Sequence, residues 1–314
     1  MTVAVLIPCH NEAQTITGVV EAFQSVLPAA TIYVYDNNST DGTAGVAALA
    51  GATVRHERMQ GKGTVVRRMF ADIEADYYVL VDGDGTYDAG IAPQMLAMAS
   101  EQRLAMLVGR RVATSSGAYR PGHETGNRMF TEAVATLFGA SFHDIFSGYR
   151  VFSRAYVKSF PAFSRAFEIE TEFTVHALTL RLPVAEVETV YKERPDGSSS
   201  KLNKYRDGTR ILWTIVMLFK NERPFVFFSL LSLLFFAASL ILAYPVVVTF
   251  LETGLVPRFP TAILATGMAI SAFILFACGL ILDTVTKGRR EIKLLHYLNS
   301  QAPITSRPDL PSQK

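Results

Sequence analysis

Four short apolar runs, each stopped by a polar turn and separated from the next by a helix-length segment, set what the N-terminal part of this chain can fold into. They are Thr2–Ile7, closed by Pro8; Thr31–Asp36; Ala52–His56; and Tyr77–Val81. Between them, Asn11-Glu12 opens a helix to about Leu27, and the turn cluster Asn37-Asn38-Ser39-Thr40-Asp41-Gly42 leads into a helix of small residues. Gly61-Lys62-Gly63 then starts a helix through Glu74. This alternation predicts an α/β fold, a mainly parallel sheet with helices on both faces. In such sheets a ligand sits beyond the carboxyl ends of the strands. Pro8, Asp36 and Asp82 all fall at such ends, so one cleft is expected to hold them.

The fourth run carries the chemistry. Tyr77-Tyr-Val-Leu-Val81 reads as a buried strand and ends in Asp82-Gly83-Asp84-Gly85-Thr86. Carboxylates at i and i+2 can point the same way where an extended segment ends. Two such charges held together are costly unless a cation joins them, and a hard divalent ion, Mg²⁺ or Mn²⁺, shared with substrate phosphates would do so. The bland alternative is a polar turn closing a core strand. Other phosphate and metal motifs fail at named positions. His56 stands where a P-loop needs its first glycine, and Gly63 follows the lysine instead of Ser or Thr. No G-x-G-x-x-G follows the first strand. Tyr87 and Pro93 occupy the glycine and glutamate positions of a calcium loop.

Downstream, a helix is expected over about Ala89–Gln102 and a strand over Leu104–Gly109, ending in Arg110-Arg111. A polar loop, Thr114–Thr125, and a helix over Gly126–Phe138 precede the landmark Asp144-Ile-Phe-Ser147-Gly148-Tyr149-Arg150. Phe167–Leu182 reads as a helix carrying Glu168, Glu170 and Glu172; the last two read as solvated or structural charges, with Glu170 also a site candidate. Val184–Tyr191 alternates as a half-buried strand, and Lys192–Lys204 is a Gly/Ser-rich loop.

The remainder is of another kind. Hydrophobic residues make up 49% of the 314 and charged ones only 18%, and the excess is concentrated here. Arg206, Arg210 and Lys220 flank an apolar face containing Trp213, which suits a helix lying on anionic lipid. Spans of apolar residues follow at about 225–251 and 261–282, each long enough to cross a bilayer. Basic residues crowd before the first span and after the second (Lys287, Arg289, Arg290, Lys293), whereas the turn between has Arg258 against Glu252. The positive-inside rule then puts both ends in the cytoplasm and the hairpin in the cytoplasmic membrane. The expected organisation is a catalytic domain over 1–202, a juxtamembrane amphipathic helix over 203–224, a transmembrane hairpin over 225–285 and a cytoplasmic tail over 286–314. Its Pro/Ser-rich end from Ala302 is expected to be disordered. A net charge of +2 gives no case for nucleic acid, and Cys9 and Cys278 lie in surroundings too different to pair. Packing of hairpins side by side leaves a homo-oligomer open.

Four motifs in order carry a resemblance. Leu6-Ile-Pro8-Cys-His-Asn11-Glu12, Asp36-Asn-Asn-Ser-Thr-Asp41-Gly-Thr43, Asp82-Gly-Asp84 and Ser147-Gly-Tyr-Arg150 resemble the family 2 glycosyltransferases of GT-A fold. More narrowly, the set is similar to the dolichol-phosphate-mannose synthase-like, polyprenyl-phosphate glycosyltransferase group. Arg194-Pro-Asp-Gly-Ser-Ser-Ser200-Lys201-Leu202 matches that group's R-x-x-G-x-S-K-L pattern with one extra residue. The resemblance spans roughly residues 3–204. Where many relatives carry Asp-Ala-Asp-Leu-Gln, this chain has Asp82-Gly-Asp-Gly-Thr-Tyr87.

The resemblance implies that Pro8, Asn11, Glu12 and Asp36 line the base and ribose of a nucleotide sugar; Glu12 also reads as a helix cap, and Asp36 as an organiser of its turn. Asp84 is expected to hold the metal, with Asp82 either assisting it or binding the nucleotide's ribose. Lys62 starts a helix and reads either as a diphosphate contact or as a solvated charge. Arg194, Ser200 and Lys201 sit on a loop able to close over the diphosphate. The acceptor implied is polyprenyl phosphate, undecaprenyl or dolichyl, already an anion and so able to attack the anomeric carbon without a strong general base. Arg128 and Arg150 are the candidates to grip it, with Ser147 as a hydroxyl donor and Asp144 orienting Arg150 or acting structurally. The reading is an inverting, metal-dependent enzyme using a UDP-sugar, with GDP-mannose also open. Two alternatives stand beside it. One is a transferase acting on a glycan or other lipid in polysaccharide synthesis, whose processive members carry Q-x-x-R-W, which is missing around Trp213. The other is an inactive membrane-tethered sugar-nucleotide binding subunit.

Overall fold

Each apolar run becomes a strand of one sheet. The computed structural model of the chain describes residues 1–113, 131–132, 134–137, 142–162, 164, 168–192 and 204–300, with the backbone alone for 204–208 and 210–211. Two compact units are present, Met1–Leu212 with Lys293–Lys314, and Trp213–Ile292.

In the first unit, seven strands are ordered β3-β2-β1-β4-β6-β5-β7. They are β1 Val3–Cys9, β2 Thr31–Asp36, β3 Thr53–His56, β4 Tyr77–Leu80, β5 Met106–Ala113, β6 Arg150–Ser153 and β7 Val184–Tyr191. The β1–β2, β2–β3, β1–β4 and β5–β7 pairings are parallel, and β6 runs antiparallel between β4 and β5. Register puts Asp36 opposite Cys9, Leu80 opposite Leu6, and Arg150 opposite Leu80. The ends of β1, β2 and β4 and the start of β6 therefore lie along one rim.

The period-two alternation of side chains divides the core between the two faces of the sheet. Val5, Ile7, Val34, Val79 and Val151 pack with Ile16, Val20 and Phe23 of α1 (Ile16–Val26) and Met95 and Leu96 of α4 (Ala92–Glu101). Elsewhere in the unit an aromatic cluster forms: Phe70 of α3 (Lys62–Asp72) meets Tyr78, Phe152, Phe160 and Phe173 at ring separations of 5.7–6.3 Å.

Two elements depart from the sequence reading for visible reasons. The first helix begins at Ile16, not at Asn11-Glu12. The intervening residues are tied to the β2 turn instead: Asn11 N–H donates to Ser39 Oγ (2.9 Å), Glu12 N–H to Thr43 Oγ1 (2.9 Å) and Ala13 N–H to Asp41 Oδ2 (3.0 Å). Strand β5 continues through Arg110 and Arg111 because β7 pairs with it over eight residues, and Arg110 forms an ion pair with Glu188. The loop Thr114–Thr125, most of the helix expected over Gly126–Phe138, nearly all of the loop Lys192–Lys204 and the tail from Ala302 lie outside the described residues.

The second unit holds two helices long and apolar enough to cross a membrane, Pro224–Thr253 and Phe259–Asn299, the latter ending in the first unit. Their apolar windows have mean hydropathies of 2.6 and 2.2, yet only 6% and 17% of those windows are buried, unlike a soluble core helix. They pack antiparallel, with Ser232 and Ser239 hydroxyls donating to the carbonyls of Ala272 (2.7 Å) and Ala265 (2.8 Å). Gly279 permits the close approach of Phe228, whose Cβ would stand 3.0 Å from an added Cβ. The second helix runs unbroken past the basic cluster, where Arg290 pairs with Glu222. Helix Lys204–Glu222 carries exposed Leu212 and Trp213.

The first unit contains a pH-sensitive core position. His176, in helix Ile169–Thr179, lies edge-on to Tyr156 and Phe160 and 3.2 Å from Ser159 Oγ. Burial, helped by the Lys293 cation, pushes its imidazole down to about 3. The unfolded chain, with an ordinary value of 6.5, binds the extra proton below that pH. The neutral ring's contribution is therefore complete above pH 6.5 and is lost as pH falls towards 3, by up to ~1.4 kcal/mol per unit. Thermal melts at pH 7.5 and 5.0 should show a smaller drop for His176→Phe than for the parent protein; an equal drop would mean that other groups set the acid sensitivity.

Candidate active site

The rim of the sheet is built by residues that lace neighbouring loops together. Asn11, at a φ of 54°, accepts from Thr40 N–H through Oδ1 at 2.8 Å. Asp41 Oδ1 accepts from Thr43 N–H (3.0 Å) and Thr43 Oγ1 (2.5 Å). Burial raises the Asp41 carboxyl, but these bonds and that from Ala13 outweigh it and hold it below the usual range. Asp36 is buried; its Oδ2 takes the Ser39 N–H at 3.2 Å and lies 3.4 Å from His56 Nδ1. Its Oδ1 is buried without a hydrogen-bond partner among the described residues. Buried acceptors rarely stay so, which makes Asp36 Oδ1 an open seat for a donor. Asn37 pins the next loop, giving both amide hydrogens to the carbonyls of Glu57 (2.8 Å) and Met59 (2.9 Å) and taking the Gly61 N–H at 2.7 Å.

Beyond β4, the carboxylate pair is held from three sides. Gly83 lets the turn pass over β1: an added Cβ would stand 2.6 Å from Cys9 Sγ. Gly85 has a φ of +73°, open to glycine at little cost. Thr86 clasps Asp84 Oδ1 with its N–H (3.1 Å) and hydroxyl (2.6 Å), while its carbonyl receives Lys192 N–H at 2.8 Å. Tyr87 accepts the Gly148 N–H at 2.8 Å and packs against Tyr149 and Tyr191. The Gly85-Thr86-Tyr87 variation thus fixes Asp84 on one side and the β6 loop on the other. Burial pushes the Tyr87 phenol far up.

Asp82 stands between two unrelated parts of the chain. Its Oδ2 would lie 2.3 Å from a Cβ on Gly148, so only glycine fits there. Its Oδ1 is 2.5 Å from Lys62 Nζ, and the same ammonium is 2.5 Å from Glu170 Oε1. Lys62 is the first residue of α3, where a cation opposes the helix dipole. The two carboxylates more than offset that and its desolvation, so the ammonium is held charged, well above its ordinary range. Burial pushes the Glu170 carboxyl up, against the pull of Lys62.

Asp82 and Asp84 supply hard oxygen donors, and no group of three His, Cys, Asp or Glu able to cage a metal occurs among the described residues. That donor set fits a divalent ion completing its shell with phosphate oxygens and water.

Other candidates are placed differently. Arg150 is fully buried: Nε donates to Ser147 O (3.0 Å), Nη2 to Ile145 O (2.6 Å) and Nη1 to Thr174 Oγ1 (3.1 Å), with Phe173 beneath the guanidinium. Ser147 Oγ is equally enclosed, donating to Gly109 O at 2.6 Å and accepting Tyr149 N–H. Asp144 grips Arg111, not Arg150, at 2.7 and 2.8 Å. Burial raises its carboxyl, but Arg111 outweighs that and holds it low. Arg128, Arg194, Ser200 and Lys201 lie outside the described residues.

Residues 4–160 match the model of glycosyl transferase family 2. The chain belongs to that family. Among its relatives, Glycosyltransferase AglJ of Haloferax volcanii is 36% identical over 72% of this chain and 75% of its own length. A Dolichyl-phosphate hexose transferase of the same organism is 24% identical over 70% of this chain and 95% of its own length. Glucosyl-3-phosphoglycerate synthase of Mycobacterium tuberculosis, solved with Mn²⁺, UDP-glucose and phosphoglyceric acid, shares the fold at a TM-score of 0.58 and 20% identity. That match covers 69% of this chain and 79% of the synthase. This family 2 glycosyltransferase is therefore an enzyme of GT-A architecture, with the ends of β1, β2 and β4 and the start of β6 brought to one rim.

Sequence reasoning gave Glu170 only a marginal place and passed over Asn37, Tyr87 and Gly148. The last three stand in the motif stretches themselves, but their roles come from partners remote in sequence. The buried Arg150 gives a direct check. Arg150→Ala should lower stability by roughly 3 kcal/mol, since it orphans three buried acceptors. Chemical denaturation measures this, and an unchanged midpoint with lost activity would place Arg150 on the substrate instead.

Proposed function

We propose that the protein is an inverting, divalent-metal-dependent glycosyltransferase that moves a sugar from a nucleotide diphosphate, in the first instance UDP, to polyprenyl phosphate at the cytoplasmic face of the membrane. One observation carries the reading: a carboxylate pair, Asp82 and Asp84, stands in the turn after β4 in a chain that also has two exposed, membrane-length apolar helices. Asp36 Oδ1, buried and unpartnered, supports a base or ribose donor beside Pro8, Asn11 and Glu12. The name of the dolichyl-phosphate relative supports the lipid acceptor, and the Mn²⁺ and UDP-glucose named with the neighbouring synthase support the cofactor and donor.

The residues divide the work as follows. Asp82 and Asp84 would hold the cation, which supplies charge neutralisation to the departing diphosphate. Lys62 adds an ammonium close to Asp82. A phosphate oxygen of the acceptor attacks the anomeric carbon as the bond to the nucleotide diphosphate breaks, with inversion. No proton needs removing, because the acceptor is already ionised. Arg128 is assigned to the acceptor phosphate and Arg194, Ser200 and Lys201 to the diphosphate. Arg150 and Ser147 serve by bracing the loop that bears Gly148. The apolar helices and the exposed Trp213 support a membrane-borne acceptor.

The test is incubation of the purified full chain with undecaprenyl phosphate, Mn²⁺ or Mg²⁺, and UDP-glucose, UDP-N-acetylglucosamine or GDP-mannose in turn. A lipid-linked monosaccharide from one UDP-sugar is expected. Asp84→Ala should reduce its formation by at least about a thousandfold, on the scale of losing a main electrostatic stabiliser, while the chain stays folded, with a melting point lowered by the loss of the two bonds from Thr86. Product from none of the donors would sink the proposal.

A further inference from the structure

The Lys62 ammonium raises a conflict with the metal site, and the following rests on the metal-dependent reading above. Lys62 Nζ stands 2.5 Å from Asp82 Oδ1, and two cations on one carboxylate oxygen repel each other. Asp82 Oδ2 for its part lies against Gly148, 2.3 Å from where a Cβ would stand, so Oδ1 and its ammonium are what an arriving ion meets. Meanwhile Glu170 holds the same ammonium at 2.5 Å, is itself buried, and leaves Oε2 without a hydrogen-bond partner among the described residues. Glu170 comes from helix Ile169–Thr179, far from Asp82 in sequence, and its side chain pairs with Lys62. A second carboxylate on a lysine already paired is surplus if the lysine merely neutralises Asp82. It has a purpose if the lysine must at times let Asp82 go.

We propose that Lys62 is the resident counter-cation of Asp82, that a divalent ion enters by exchange, displacing Lys62 from Asp82 Oδ1, and that Glu170 is the positioning residue that retains the displaced ammonium beside the site. Anchored on Glu170, the released ammonium becomes available to the donor's diphosphate. The site therefore stays compensated without metal, and metal entry and readiness of Lys62 become one event. No covalent bond changes in this step; one ion pair is traded for another.

Exchange makes an unusual prediction: removing a site lysine should strengthen metal binding. The measurement is direct Mn²⁺ binding to the full chain in detergent, by electron paramagnetic resonance, with no nucleotide or acceptor present. Lys62→Met should bind Mn²⁺ at least about fivefold more tightly than the parent, given the size of a charge–charge term at this range. The double variant Lys62→Met/Glu170→Met also removes the buried Glu170 carboxylate that Lys62→Met leaves without its ammonium, so only the half-exposed Asp82 loses its partner, which keeps the fold safer; it should bind Mn²⁺ at least as tightly as the parent. Glu170→Gln leaves the ammonium to Asp82 alone and should weaken Mn²⁺ binding severalfold. With Mn²⁺ at saturation, UDP should bind more weakly to both lysine variants.

Equal or weaker Mn²⁺ binding in a folded Lys62→Met, or weaker binding in the double variant, overturns the exchange. Asp84→Ala separates the two levels of the argument. If it leaves Mn²⁺ binding intact, or if neither the parent nor any variant binds the ion even once UDP is added, the metal reading itself has failed. If it abolishes binding while Lys62→Met brings no gain, only the exchange has.

Discussion

The ion pair between Lys62 and Asp82 is the contact on which the rest of the site depends. It joins the start of α3 to the end of β4, and through Glu170 it reaches the helix Ile169–Thr179. Three buried or half-buried charges in one place are costly unless each has a partner, and here the geometry supplies one ammonium for two carboxylates. The sheet makes this possible. With β1, β2 and β4 parallel and adjacent, their carboxyl ends deliver Asp36, Asp82 and the Pro8–Glu12 turn to the same rim. The antiparallel β6 then starts where β4 ends and brings Gly148 against Asp82.

Glycine and aromatic residues do the fine positioning. Gly83 and Gly148 are sites where a side chain would collide with Cys9 or Asp82, so both act by what they lack. Tyr87 ties the strand-end turn to the β6 loop, and Arg150 braces that loop from below with bonds to Ser147, Ile145 and Thr174. Most of the residues around the rim carboxylates thus serve to hold those few groups in place.

Much of this was legible in the sequence, and the reasons for success and failure are physical. The alternating apolar runs implied the parallel sheet, and the strand-end rule then implied that Pro8, Asp36 and Asp82 converge. Local motifs could not reveal which charges are buried. Arg150 follows a Ser-Gly-Tyr turn and read as a phosphate grip, yet the fold encloses it against Phe173. Asp144 was matched with the arginine near it in sequence, whereas β5 delivers Arg111 to it. Glu170 sits in a run of alternating glutamates that looks solvated until the helix is seen to be buried along most of its length. Each miss is a contact between elements distant in sequence, and spacing along the chain carries no record of those.

The central claim is that the carboxyl end of β4 holds the metal and the donor diphosphate. A structure of the full chain with Mn²⁺ and UDP, using the anomalous signal of manganese, tests it most directly. The account predicts one manganese peak within coordination distance of both Asp84 and Asp82, bridged to the diphosphate, with Lys62 off Asp82 and still against Glu170. A manganese peak elsewhere on the protein, or UDP bound with Asp82 and Lys62 still paired and no metal between Asp82 and Asp84, would contradict it.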